Sequence, residues 1–124
     1  MVASIYEIKA SSEAVMKYMP VTNKVIVLDA GHGGIDSGTL NNDKTIYEKE
    51  INLAITLKIR ELLESSGAHV ILTREDDSSL YIEDGNKTIR QKYNENLKNR
   101  KQIKKEANAD MIVSIHMNAL TGEG

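Results

Sequence analysis

The chain has 124 residues, of which 40% are hydrophobic and 27% charged, and its formal net charge is -2 at pH 7. This length and composition fit one folded domain or part of one, and without a basic excess nucleic acid is not an expected partner. There are no cysteines, which excludes thiolate metal sites and disulfides and leaves histidine and carboxylate as the strong metal ligands.

The first predicted element is a weakly amphipathic helix within residues 1–23, which stops at Pro20, the only proline. We expect this segment to lie at the periphery of a domain formed by residues 24–124. The first residues lack the basic start and long apolar core of a signal peptide. No apolar run approaches the ~20 residues that a membrane helix needs.

Short apolar runs alternate with amphipathic segments in the rest of the chain, which predicts the order β-loop-α-β-loop-α-β. Strands joined by helices of this length pair in parallel through right-handed crossovers. The expected fold class is therefore α/β, a parallel sheet with flanking helices. The predicted strands are 24–29, 69–73 and 109–115, and the predicted helices are 48–66 and about 87–108.

Three side chains that can bind a metal are expected at one edge of this sheet, because the carboxyl-terminal ends of parallel strands lie together. His32 follows the first strand, His116 follows the third, and Glu48 begins the helix that leaves the same edge. Two histidines and a glutamate form a known catalytic zinc set that leaves a fourth position open. His69 begins the second strand, so we expect it at the opposite edge, where it serves as an internal control.

Each of these residues also has a simpler interpretation. A histidine after a strand often makes only loop hydrogen bonds, and Glu48 could be no more than a favourable first-turn charge. Glu50 competes for the ligand role, although it points about 200° away around the helix. The glycine-rich loop at 30–38 could cradle a phosphate, but it lacks the spacing of nucleotide-binding loops. Asp29 and Asn118 flank the histidines and are candidates to orient them or to contact substrate, with loop capping and turn formation as alternatives.

Four motifs in a fixed order resemble a known family. They read D-A-G-H-G-G at 29–34, E-K-E-I-N-L at 48–53, L-T-R-E-D-D at 72–77 and S-I-H-M-N-A at 114–119. The series closely resembles the zinc-dependent N-acetylmuramoyl-L-alanine amidases of bacterial cell-wall turnover, over residues 24–120. The resemblance implies the phosphorylase/hydrolase-like form of the α/β fold, and Zn2+ held by His32, Glu48 and His116. It thereby favours Glu48 over Glu50.

The reaction implied by the resemblance is hydrolysis of the amide that joins N-acetylmuramic acid to L-alanine of the peptidoglycan stem peptide. Action outside the cytoplasm is implied as well, in the cell wall or spore envelope, with a signal peptide removed. Residues 83–90 and the Asn- and Lys-rich helix after them are similar to the spore-cortex subgroup, which acts in germination.

The family's general base is a glutamate from a late strand, and we expect it beyond Gly124, so no catalytic residue is assigned within the chain. Two right-handed crossovers in one direction would place both helices on one face of the sheet and leave the other bare. The chain is thus expected to be the N-terminal portion of the domain, incomplete at its C-terminus. It would need an activating protein partner, or would self-associate through the uncovered face.

Two other functions stay open on the sequence alone. One is a catalytically silent module that binds zinc and glycan and needs its C-terminal half or a partner chain. The other is a metallopeptidase that acts on stem peptides. Products distinguish these functions, because an amidase frees L-alanine amino groups, a peptidase frees D-amino ends and a silent module frees neither.

Overall fold

The computed structural model describes residues 20–118 and confirms the α/β class, with every element end within two residues of the predicted one. The expectation for residues 1–19 lies outside the described residues. Three parallel strands and two helices alternate along the chain. They are β1 (Val25–Ala30), α1 (Glu48–Ser65), β2 (His69–Leu72), α2 (Ile89–Glu106) and β3 (Met111–Ile115).

Local signals fix the helix ends. Acidic residues in the first turn of α1, Glu48 and Glu50, suit the positive end of the helix dipole. After α1 the chain reverses at Gly67. Its φ is 88°, a left-handed value that glycine adopts with little strain. α2 begins with a capping box, in which the Thr88 hydroxyl accepts from the Gln91 N–H at 3.2 Å and the Gln91 side chain accepts from the Thr88 N–H at 2.8 Å.

The strand order is β2-β1-β3, with β1 in the centre. The chain crosses from β1 to β2 in one direction and then returns past β1 to reach β3. Right-handed crossovers in opposite directions place their helices on opposite faces of a sheet. Our expectation of both helices on one face is therefore wrong, because it assumed that the second crossover continued in the direction of the first.

Side-chain alternation along β1 shows which helix covers which face. Ile26 and Leu28 pack with Ile59 and Leu63 of α1. Asp29, the residue after Leu28, points to the other face and meets α2. The apolar surface that remains open on the described part of the sheet is consequently local to β3, where Met111 and Ile112 are exposed, and is not a whole bare face.

The chain before β1 is tied to the amino-terminal edge of the sheet. The Thr22 hydroxyl donates to the Ser66 carbonyl at 3.1 Å, and the Asn23 N–H donates to the Gly67 carbonyl at 2.8 Å. Val21 packs against the aliphatic cluster. Within residues 20–118, neither helix combines the length and apolarity needed to cross a membrane.

Candidate metal centre

The pairing of β1 with β3 brings two histidines to one sheet edge. Ala30 is the register partner of Ile115, and the Gly31 N–H continues the ladder by donating to the Ile115 carbonyl at 3.0 Å. His32 and His116 therefore leave the sheet side by side. Their rings meet edge to face, with centroids 5.0 Å apart.

Glu48, the first residue of α1, completes a group of three possible ligands whose donor atoms all lie within 4.8 Å of one another. Its Oε1 lies 3.2 Å from His32 Nε2 and 3.5 Å from His116 Nδ1. Around a tetrahedral zinc ion with bonds of about 2.0–2.1 Å, neighbouring donor atoms are about 3.3 Å apart. The two separations match that value, so the residues present fit a zinc ion.

The Glu48 carboxylate is almost fully buried, at 4% exposure, and is held from several sides. It accepts backbone hydrogen bonds from Thr39 at 2.8 Å and Met117 at 2.9 Å, and one from the Asn52 side chain at 3.3 Å. Burial raises the pKa of Glu48, but these hydrogen bonds outweigh it and lower the pKa to about 2. Glu48 is thus a fixed anion at neutral pH, whereas Glu50 is exposed.

Asp36 orients the first histidine. Its Oδ2 lies 2.8 Å from His32 Nδ1, and its Oδ1 accepts from the Gly38 N–H at 3.1 Å. A carboxylate on Nδ1 selects the tautomer that leaves Nε2 available to a metal, a recurrent arrangement in metal sites. The sequence analysis did not predict this role for Asp36. Its position four residues after His32, in the same glycine-rich loop, could have indicated it.

Glycines in this loop allow close packing of the three side chains. A Cβ at Gly31 would lie 2.3 Å from Cε1 of the His116 ring. A Cβ at Gly38, where φ is 64°, would lie 2.6 Å from His32 Cδ2 and 2.7 Å from Glu48 Oε2. These glycines make room for the metal-ligand candidates, and that accounts for them better than the phosphate cradle considered from sequence.

Two buried arginines hold the backbone that carries His32. Arg74 donates from Nε to the Ala30 carbonyl and from Nη2 to the Gly31 carbonyl, both at 3.0 Å. Arg100, from α2, donates to the Ala30 carbonyl at 2.6 Å and to the His32 carbonyl. Three consecutive carbonyls are therefore held by guanidinium groups, which supports His32 in its left-handed conformation, with φ at 63°.

Asp29 has a different role from the one expected. Its carboxylate accepts from Thr73 at 2.7 Å, Arg100 at 2.7 Å, Ser114 at 3.1 Å and also Lys104, rather than from a histidine ring. Burial raises the pKa of Asp29, but these partners prevail and lower it to about 2. Asp29 contacts Arg100, which holds the His32 loop, because strand alternation points the Asp29 side chain towards α2.

Among the described residues, neither Asn118 nor His69 makes a hydrogen bond to the group. Asn118 is exposed, and it is the backbone N–H of its neighbour Met117 that contacts Glu48. His69 pairs with Val25 at the other edge of the sheet, the position expected for the control. Within residues 20–118 no second glutamate joins the group.

Comparison with known proteins identifies the relatives of this chain. A family profile described as N-acetylmuramoyl-L-alanine amidase matches residues 26–124. The germination-specific N-acetylmuramoyl-L-alanine amidase of Bacillus subtilis is 35% identical over 105 residues, which are 85% of this chain and 43% of that protein. The chain thus spans less than half the length of this relative.

Solved structures show the same fold at higher similarity. The structure of the CwlD amidase from Clostridioides difficile in complex with the GerS lipoprotein shares 72% sequence identity, with a TM-score of 0.79 over 81% of this chain and 51% of that one. The catalytic domain of CwlV from Bacillus (Paenibacillus) polymyxa var. colistinus shares 36% identity, with a TM-score of 0.63 over 80% of this chain and 48% of that one.

Proposed function

Because this chain belongs to the N-acetylmuramoyl-L-alanine amidase family, we propose that it carries the metal centre of a zinc-dependent peptidoglycan hydrolase. The bond to be cleaved is the amide between N-acetylmuramic acid and L-alanine of the stem peptide. Residues 24–124 form the N-terminal portion of the catalytic domain in this proposal.

His32, Glu48 and His116 are the proposed zinc ligands. The observation that carries the assignment is the pair of separations from Glu48 Oε1 to the two histidine nitrogens, 3.2 and 3.5 Å. A zinc ion held by these residues would supply Lewis acidity, which would polarise a carbonyl and lower the pKa of water towards ~7.

The chain's own residues prepare this centre before the ion arrives. Glu48 stays ionised through its hydrogen bonds and brings negative charge to the site. Asp36 holds the proton on His32 Nδ1, so that Nε2 presents a lone pair. Since positioning of this kind needs no reorganisation on binding, it favours metal affinity. The general base that moves the proton to the leaving amine is proposed to be a glutamate beyond Gly124.

We assign the substrate to the spore cortex and the place of action to the outside of the cytoplasm. Support comes from the germination-specific relative at 35% identity and from the 72% identity to CwlD. Because that structure contains the GerS lipoprotein, we also propose that a lipoprotein is a partner of this protein.

The test combines metal analysis with product analysis. After dialysis the chain should retain about one zinc ion, and it should lose it in His32→Ala and His116→Ala but keep it in His69→Ala. A chain extended to the length of its relatives should release L-alanine amino groups from purified cortex, and a chelator should stop the release. D-amino ends would indicate a peptidase, and the absence of any product from the extended chain would favour the silent binding module.

A further inference from the structure

The loop between β2 and α2 contains the only position in the chain where an aspartate or asparagine precedes a glycine, Asp84–Gly85. The side-chain carbonyl of an aspartate is close enough to the nitrogen of the next residue to close a five-membered ring with it, which makes the attack intramolecular. A side chain on the next residue hinders this attack, and glycine has none. Asp84 is therefore the aspartate of this chain whose neighbour opposes ring closure least.

The reacting residues are accessible in the folded chain. Asp84 and Gly85 are both exposed. Gly85 has a φ of 77°, and apart from its chain neighbours no atom of the described chain lies within 4 Å of the position that a Cβ would take there. The peptide at Gly85 can consequently rotate as the ring closes without displacing other residues.

The Asp84 side chain is folded back over the peptide that it would attack. Its Oδ1 accepts from the Asn86 N–H at 2.9 Å, a contact with the backbone two residues along that defines an Asx turn. Such a turn directs the side-chain carbonyl carbon towards the intervening peptide. Cγ of Asp84 therefore lies on the side of the Gly85 nitrogen.

Glu83 provides an acceptor for the proton of that nitrogen. The Gly85 N–H donates to Glu83 Oε1 at 3.2 Å, while Lys92 donates to the other carboxylate oxygen at 2.7 Å. The hydrogen bond from Lys92 lowers the pKa of Glu83, so this acceptor is ionised at neutral pH. A carboxylate in this position draws the proton away from the nitrogen that is to form the new bond.

We propose that Asp84–Gly85 is a self-modification site, at which the chain converts aspartate to isoaspartate without an enzyme or a cofactor. The Gly85 nitrogen bonds to Asp84 Cγ and gives its proton to Glu83. One side-chain oxygen then leaves as water, with that proton and one from solvent, and a cyclic imide is formed. Water next adds to the main-chain carbonyl of Asp84 and breaks its bond to Gly85, and the new carboxyl group releases a proton.

The product has the same atoms as the original chain but a different backbone. Gly85 is joined through the Asp84 side chain, so the backbone gains one methylene, and the former main-chain carbonyl becomes a free carboxylate. This segment contacts the first turns of α2 through Glu83–Lys92 at 2.7 Å and Lys87–Glu95 at 2.6 Å. We expect the longer backbone to break the Glu83–Lys92 pair. The inference does not depend on the proposed amidase function.

The experiment incubates the purified chain at neutral pH in water labelled with heavy oxygen and maps its peptides by mass spectrometry. The peptide that carries Asp84 should take up label and become a substrate for an isoaspartate-specific methyltransferase, at least as fast in the folded chain as in urea. Asp84→Glu keeps the charge but requires a larger ring, so the label should be lost. Glu83→Gln should slow labelling by about ten-fold, less than a base in an enclosed active site contributes.

Asp36 is an internal control. It makes the same kind of contact, with the Gly38 N–H at 3.1 Å, but it precedes Ser37 and its other oxygen is held by His32, so it should stay unlabelled. In Asp84→Asn the same ring forms with loss of ammonia, which should occur faster than in the original chain.

Four results would overturn the proposal. They are no label at Asp84, equal labelling at Asp36 and Asp84, slower labelling in the folded chain than in urea, and an Asp84→Asn variant that releases no ammonia. An unchanged rate in Glu83→Gln would contradict the role of Glu83 as proton acceptor. Since none of these measurements involves a metal or a peptidoglycan substrate, failure here would leave the proposed function untouched.

Discussion

The two helices meet the sheet in opposite chemical ways. α1 packs Ile59 and Leu63 on the aliphatic face of β1. α2 contacts the other face through Arg100 and Lys104, which pair with Asp29. One contact is a broad apolar surface, and the other is a small set of buried charges.

The buried and exposed side chains of α2 reflect its polar contact with the sheet. Ile89 and Leu97 are 66% and 64% exposed and Tyr93 is also exposed, whereas Asn96 and Arg100 are buried. Apolar packing loses strength gradually as groups are removed, because it is spread over many atoms. A buried ion pair fails abruptly, because removing one partner leaves a desolvated charge. We therefore expect the two helices to respond differently to mutation.

The largest effect should come from breaking the polar contact of α2. Arg100→Met leaves Asp29 buried with one cation fewer, releases the carbonyl of His32 and leaves the Ala30 carbonyl with Arg74 alone. We expect the free energy of unfolding to fall by about 3–5 kcal/mol, measured by urea denaturation. Arg90→Met, at an exposed arginine of the same helix, is the matched control. Equal losses in both variants would contradict the special role of the buried pair.

The contribution of α1 to the metal centre should appear in zinc affinity. Substitution of residues that merely support metal ligands typically costs 10–100-fold, so Glu48→Ala should weaken zinc binding by at least about 100-fold. That factor corresponds to about 2.8 kcal/mol. Glu50→Ala, two residues along, should leave the affinity unchanged in competition with a chromophoric chelator. Equal weakening in both variants would reassign the ligand.

Acid should weaken the α2 contact through Asp29, over the same pH range in which Glu48 of α1 also becomes protonated. The pKa of Asp29 falls from 3.8 to about 2 on folding, so its stabilisation is complete above the unfolded pKa and is lost as pH falls through the folded one. The metal-free protein should lose about 2 kcal/mol from this group between pH 5 and pH 2. Asp29→Asn should show a correspondingly flatter stability profile over that range. Parallel profiles for the two proteins would exclude Asp29 as the titrating group.

The smallest effect should come from the exposed side of α2. Leu97→Ala is expected to change the free energy of unfolding by less than about 0.5 kcal/mol, as for other surface positions. The identical change at half-buried Leu63 on α1 should cost about 2 kcal/mol, the low end for a core leucine. Thermal unfolding of both variants makes the comparison direct. A larger loss of stability from Leu97→Ala than from Leu63→Ala would contradict the packing described for the two helices.

Periodicity in the sequence located both helices but could identify the buried face of only one. On α1 the apolar positions Ile59 and Leu63 do face the sheet. On α2 the same kind of pattern marks residues that are exposed in the described part of the chain, while the buried Arg100 donates to Asp29 and to the carbonyls of Ala30 and His32. Hydrophobic spacing carries no information about such polar partners.

The meeting of His32, Glu48 and His116 could be anticipated because it follows from parallel topology alone. The strand order could not, since the sequence does not state the direction of the second crossover. Asp36 and Arg100 were missed for a similar reason. Their roles depend on the path of a loop and on which side of a helix faces the sheet, and both are decided by tertiary packing.

The central position of β1 has a consequence for the time course of folding. Pairing of β2 with β1 joins residues 44 positions apart in the sequence, such as Asp29 and Thr73. Pairing of β3 with β1 joins residues 85 positions apart, such as Asp29 and Ser114. Doubling a loop adds only about 0.6 kcal/mol to the entropic cost of closure, but non-local contacts form late. His116 arrives with β3, so the complete ligand set exists only after the last strand has paired. If the proposed zinc assignment holds, uptake of the ion would therefore follow assembly of the sheet, and the ion would secure the docking of β3 without nucleating the fold.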